Sequence, residues 1–132
     1  MTACGLWRTP RRLLAVVLDE HGRPRPPISV AMTDDARWGL LVWLQSKGCR
    51  DVVLTDQLAR GDPIARMALT LGVRFWVVPA SVVEGVRYAT ELTKRAPKYT
   101  AALLARWSSA PALRSYLRVV EPDLDDQQLG LW

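Results

Sequence analysis

The stretch "DVVLTDQLARGDP", Asp51 to Pro63, sets a hydroxyl and a carboxylate, Thr55 and Asp56, directly after an apolar run. In an open α/β sheet, ligands bind beyond the carboxyl ends of the strands, so this pair stands where a metal ion or a ribose hydroxyl would be held. Two-metal hydrolytic chemistry needs several carboxylates converging on ions about 4 Å apart. Partners for Asp56 would have to come from Asp19, after an earlier apolar run, or from Asp34 at the head of a helix. The structural alternative is that Asp56 opens a turn while Asp62-Pro63 starts a helix, a capping carboxylate followed by proline at the first helical position.

Other chemistry is poorly supplied. His21 is the only histidine and Cys4 and Cys49 the only cysteines, which excludes a zinc site of paired Cys and His ligands. His21 precedes Gly22 in an expected turn, and both cysteines are expected as reduced thiols. There is no phosphate-cradling Walker loop, no G-x-G-x-x-G and no nucleophile elbow. No catalytic set, metal or cofactor is expected.

Cationic side chains are more abundant, and they are unevenly placed. Residues 87 to 118 carry seven Lys or Arg against one acid, residues 1 to 33 five against two, and residues 119 to 132 none against four. Arginine outnumbers lysine fifteen to three, and the guanidinium fork matches phosphate oxygens. Arg11, Arg12, Arg23 and Arg25 near the first hairpin, with Arg87, Lys94, Arg95, Lys98 and Arg106 in the later helices, are the expected nucleic-acid contacts. Tyr88, Tyr99, Trp107 and Tyr116 interleave with them, a mixture suited to phosphate contact and base stacking. The six tryptophans exceed what one core readily buries, so a Trp-rich surface for self-association is a further expectation.

The scaffold that must position these residues is one domain. A chain of 132 residues with 49% hydrophobic and 23% charged residues is ordinary globular material. Its apolar runs, such as Leu13 to Leu18, fall far short of the roughly 20 residues that span a bilayer. No membrane partner and a cytoplasmic location are expected, with an α/β domain over 1–118 and an acidic tail over 119–132.

"RLLAVVLD" and "ISVAMT", joined by "EHGRPRPP", predict a β-hairpin. A helix follows, capped by Asp34-Asp35, with Trp38, Leu41, Leu44 and the flanking Val42 on its apolar face and Gly48 ending it. "DVVLT" and "VRFWVVP" predict core strands separated by a helix from Ile64 to Leu71. Ser81 and Glu84 form a capping box that starts a third helix near Val82, running to about Arg95. Helices over Lys98 to Trp107 and Ala112 to Arg118 complete a β-β-α-β-α-β-α-α order. Such an order predicts a three-layer α/β fold with a mixed sheet, RNase H-like or flavodoxin-like.

Over residues 12 to about 107 this order resembles the RNase H-like N-terminal domain of bacterial transposases with an Asp-Glu-Asp-Asp active site. The likeness rests on "LLAVVLDEHGRPR", on "DVVLTDQLARGDPIARMALTLGVRFWVVPASVVEGVR", and on "KRAPKYTAALLARW". In that family a strand ahead of the hairpin bears the first catalytic Asp, where this chain has only "MTACGLWRTP". The catalytic Glu falls at Thr55, and the final pair of Asp falls in "KYTAALLA", which contains none. The resemblance therefore implies a degenerate domain of mobile-element descent that has lost its acids and acts on nucleic acid by binding. The competing readings are a small enzyme using Asp56 with Mg²⁺ or a phosphorylated ligand, and a homo-oligomeric interaction module.

Overall fold

A computed structural model of the chain describes residues 3–120. Six strands form one sheet: β1 (Ala3–Arg8), β2 (Arg12–Val17), β3 (Ile28–Ala31), β4 (Asp51–Thr55), β5 (Arg74–Val78) and β6 (Arg118–Val120). Their spatial order is β3-β2-β1-β4-β5-β6. β1, β4 and β5 are mutually parallel, whereas β2, β3 and β6 each run antiparallel to the neighbours they pair with. The helices are α1 (Asp34–Ser46), α2 (Asp56–Gly61), α3 (Ile64–Thr70), α4 (Ala80–Ala89), α5 (Pro97–Ala105) and α6 (Pro111–Arg114). This is the expected three-layer α/β architecture with a mixed sheet. A flavodoxin-like doubly wound sheet, in order 2-1-3-4-5, does not describe it.

Side-chain alternation divides the core in two. Leu6, Val52, Leu54, Phe75 and Val77 face α1 and α3, where Leu40, Leu41, Leu44, Ile64 and Ala68 meet them. On the other face Ala3, Val53 and Val78 pack against Val83 of α4, Leu104 of α5 and the fully buried Trp107. Trp107 donates its indole N–H to the Leu113 carbonyl at 2.8 Å, so this buried ring leaves no polar atom unpaired.

β1 departs from the expected order, which began at residue 12. "ACGLWR" is a short run broken by Gly5, and its strand character comes from a slot between β2 and β4. Gly5 is there because α5 crosses β1 at van der Waals distance: a Cβ at this position would lie 1.8 Å from the Ala101 carbonyl oxygen. β6 was also unforeseen. It reaches Val120, two residues beyond the boundary drawn for the acidic tail, and Val120 is fully buried. The expected docking of Leu129, Leu131 and Trp132 lies outside the described residues.

Helix boundaries moved for local reasons. Thr33, not Asp34 or Asp35, caps α1, its hydroxyl accepting from the Ala36 N–H at 3.2 Å, and the two acids sit in the first turn. The buried face of α1 carries Arg37 and Leu40 beside Leu41 and Leu44, leaving Trp38 and Val42 exposed. α4 ends at Ala89 rather than near Arg95. The Thr90 hydroxyl turns back to the Val86 carbonyl at 2.7 Å, and Glu91 adopts a left-handed φ of 60° before a 3-10 turn at Leu92–Lys94.

Candidate functional site

The site predicted from the sequence resolves into two places at opposite ends of the sheet. Because β1 and β4 are parallel, their carboxyl ends set Trp7 and Thr55 on the border of one cleft of about 350 Å³, which Gln57 and Glu84 also line. Asp19 follows β2, which is antiparallel to β1 and pairs Val17 with Cys4. It therefore lies at the other end of the sheet from Asp56. An Asp19–Asp56 pairing around a metal is overturned by strand direction alone.

Thr55 and Asp56 are both occupied by the fold. Thr55 is the N-cap of α2, which begins immediately after β4 where a loop was expected, and its hydroxyl accepts from the Leu58 N–H at 3.1 Å. One oxygen of Asp56 accepts from the Ala80 N–H at 2.9 Å and the other from Arg60 at 3.0 Å. The first of these bonds caps α4 from 24 residues away, which is why α4 starts at Ala80 without using the Ser81–Glu84 box. Asp34 is paired with Arg37, and Arg37 is held from its other side by the buried Asp62. Asp62 also accepts from the Ile64 N–H, so it does start α3 as expected, with Pro63 one position before the helix. Among the described residues, no three His, Cys, Asp or Glu side chains are grouped so as to hold a metal.

Cations stand at the cleft instead: Arg8 lines it, and Arg87 is held by two of its lining residues, Trp7 and Glu84. The Arg87 guanidinium lies 4.9 Å from the centre of the Trp7 ring, donates to the Thr100 hydroxyl at 3.0 Å and pairs with Glu84 at 2.7 Å. Thr100 is fully buried on α5, so β1, α4 and α5 meet on this one side chain. Arg87 was expected to face a nucleic acid; it faces the fold. Stacking on an aromatic face is worth about 0.5–2 kcal/mol and suits a guanidinium better than an ammonium. Asp56→Ala is expected to cost about 1 kcal/mol, by analogy with other lost helix caps, and to leave thermal stability as indifferent to millimolar Mg²⁺ as in the parent protein. Thermal melts of both proteins with and without Mg²⁺ check this; stabilisation by Mg²⁺ that vanishes in the variant would restore Asp56 as a ligand.

The second place is basic. The four arginines expected near the hairpin separate along β2, whose six residues span about 20 Å. Arg11 lies in the β1–β2 turn, and Arg12 is tied across the sheet edge by its bonds to Ser29 at 2.6 and 3.1 Å. Arg23 and Arg25 belong to the β2–β3 connection at the far end. There, Asp19 closes the turn by accepting from the Arg23 and His21 N–H groups at 2.9 and 2.8 Å. The Arg23 N–H, followed by that of His21, holds the Asp19 carboxyl below its ordinary range. The contribution is thus complete above the ordinary carboxylate pKa and is lost only as pH falls through the depressed one.

This closed turn sets Arg25 on the border of a groove that α5 also lines. Arg25 with Pro24 and Pro26 forms one wall of this groove of about 410 Å³, and Lys98, Tyr99 and Ala102 form the other. Arg95 and Lys98 place their charges 5.5 and 5.4 Å from the Tyr99 ring centre. Among the described residues, none that lines the groove is an acid. Of the remaining expected contacts, Lys94 pairs loosely with Glu91 at 3.8 Å, and Arg106 is exposed beyond the opposite end of α5. The charge tally marks the segments; that residues 25 and 98 line one groove has no local signal.

The described tryptophans do not form a continuous exposed surface. Trp107 is fully buried, Trp76 donates to Asp51 at 3.0 Å, Trp43 lies under Lys47, and among the described tryptophans only Trp38 is exposed. Among the described residues, the exposed large aromatics besides Trp38 are Tyr88, Tyr99 and Tyr116. Cys4 and Cys49 are buried thiols. Burial raises both, Cys4 further through the neighbouring Cys49, and Cys49 to about 11, so neither is a nucleophile at neutral pH. None of the described helices is long and apolar enough to cross a membrane.

No protein-family model matches the sequence, and no curated protein matches it significantly.

Proposed function

We propose that this chain is a non-catalytic nucleic-acid-binding domain of degenerate RNase H-like type, of mobile-element origin, and that it binds through the basic groove between the β2–β3 connection and α5. The observation that carries the reading is that Arg25 and Lys98 line one concavity, with Arg95 beside Tyr99 of the same wall, and that no described residue lining it is an acid. The degenerate character is supported by β1. A strand does precede the hairpin, parallel to β4, as the resemblance requires, and it bears no acid. The three elements on which the resemblance would place catalytic acids carry Trp7, Thr55 and Thr100 here, and Arg87 stacks on the first and bonds the last. A fixed guanidinium opposes the binding of metal cations at that spot by simple repulsion.

Phosphate contacts release condensed counterions, so binding to DNA or RNA should weaken steeply between about 50 and 200 mM salt. Arg25→Ala combined with Lys98→Ala should reduce affinity about 10-fold at low salt and flatten the salt dependence by about two phosphate contacts. Fluorescence anisotropy with labelled oligonucleotides measures both quantities. Absence of binding at low salt would overturn the proposal.

A second reading has one observation behind it. Trp38 and Val42, one turn apart on α1, are 38% and 56% exposed. Self-association through that face would appear as a mass that rises with concentration in light scattering and that Trp38→Ser abolishes.

A further inference from the structure

We infer that the groove beside Tyr99 receives an unpaired nucleotide, which makes single strands rather than duplex the ligand. The inference rests on the nucleic-acid reading above and narrows it. Three features of the groove point the same way. Its volume of about 410 Å³ lies within the range of small-ligand sites, and a base with its sugar is a ligand of that class. A duplex, presenting a convex ridge of phosphates, would touch the cations at the rim and leave the concavity empty.

The walls are made for faces rather than edges. Pro24, Pro26 and Ala102 offer flat or small apolar surface, and prolines have no N–H to donate. The Arg25 N–H is already given to the Val17 carbonyl at 2.8 Å. Among the described residues lining the groove, the donors left to a ligand are therefore mainly side chains, the cations and the Tyr99 hydroxyl, joined by the Lys98 N–H in the uncapped first turn of α5. Such a site holds phosphate and stacks a base while reading little of its hydrogen-bonding edge, so it should tolerate any sequence.

Tyr99 is the stacking surface. It is 42% exposed, and the charges of Arg95 and Lys98 stand near its ring on long, flexible stems. A phosphate drawn between Lys98 and Arg25 would pull the lysine outward and leave ring face for a base. Tyr88 is more exposed, at 81%, but it lies on α4 and does not line the groove.

The test uses the full chain and three labelled 20-mers, oligothymidylate, oligodeoxyadenylate and a duplex of mixed sequence, at low salt. Both single strands should bind more tightly than the duplex. Tyr99→Ala should weaken single-strand binding by about 10- to 100-fold. Tyr99→Phe should retain it, Tyr88→Ala should leave it unchanged, and duplex binding should be alike in all four proteins. Thermal melts confirm that each variant is folded, and Tyr99→Phe separates loss of the ring from loss of the hydroxyl. Equal or tighter binding of duplex, an unaltered affinity in Tyr99→Ala, or equal competition by oligoglutamate would overturn the inference while leaving a basic binding face intact. If the parent protein binds none of the three, both readings fall together.

Discussion

Replacing Asp62 by Ala will destabilise the protein by about 3–5 kcal/mol, the cost of stranding one member of a buried ion pair. Asp62 and Arg37 have side chains only 2% and 9% exposed, and they meet through two parallel bonds of 3.1 and 2.9 Å. Without Asp62 the guanidinium keeps only Asp34, whose side chain is largely exposed and gives little in return. The Ile64 N–H at the start of α3 also loses its acceptor. Asp62→Asn should fall between the parent and Asp62→Ala, because its amide oxygen still accepts while the charge is gone. The double replacement Arg37→Met with Asp62→Leu should recover most of the loss, since removing both charges removes the desolvation cost as well. Urea unfolding midpoints at constant slope measure all four proteins. If Asp62→Ala cost under about 1 kcal/mol, the pair would behave as an exposed one and its placement between α1 and α3 would be wrong.

Gly5→Val is expected to cost about 3 kcal/mol or more, at or above the upper end of the usual range for overpacking. Most overpacked sites yield by rotating a side chain. At Gly5 the obstruction is backbone: the added Cβ would lie 1.8 Å from the Ala101 carbonyl oxygen and 2.5 Å from the Ala105 nitrogen. α5 would have to lift off β1, opening the buried layer that holds Leu104 and Trp107. Gly5→Ala should already cost more than 1 kcal/mol, because the first carbon is the one that collides. On the nucleic-acid function proposed above, the displacement also reaches the binding groove, since Lys98 and Tyr99 of α5 line it with residues of the β2–β3 connection. Gly5→Ala, if it folds, should therefore bind oligonucleotides more weakly than its distance from the groove would suggest. Thermal melts and anisotropy on the same samples would show both effects; an unchanged melting temperature would sink the packing argument.

How much of this was legible beforehand depended on whether the signal was local. β2, β4 and β5 are branched apolar runs closed by turn residues, and such runs declare themselves in any context. β1 is six residues with a glycine in the middle, and β6 is three; both owe their form to neighbours that pair with them. The Ser81–Glu84 box was a sound local pattern that went unused. Asp56 reached Ala80 first, and a tertiary acceptor on the preceding residue moved the helix start. Spacing alone puts Trp38 on the core face, but the face of α1 that packs is shifted to admit Arg37, whose partner Asp62 lies outside that helix.

Thr55 and Asp56 show the division most clearly. Residue order alone determined that an apolar strand ends there, that a helix start follows, and that the acids needed for two-metal chemistry are missing from the segments expected to supply them. Only the tertiary structure decided what the two side chains do: cap α2, anchor α4 and hold Arg60. The same holds for the basic residues. Their abundance is a property of composition, but their division between two ends of the sheet follows from the antiparallel run of β2, and the placing of Arg25 and Lys98 on one groove from the crossing of α5 over β1 and β2. Strand and helix propensities act over a few residues, whereas a site is made by contacts across the fold, whose partners no local pattern names.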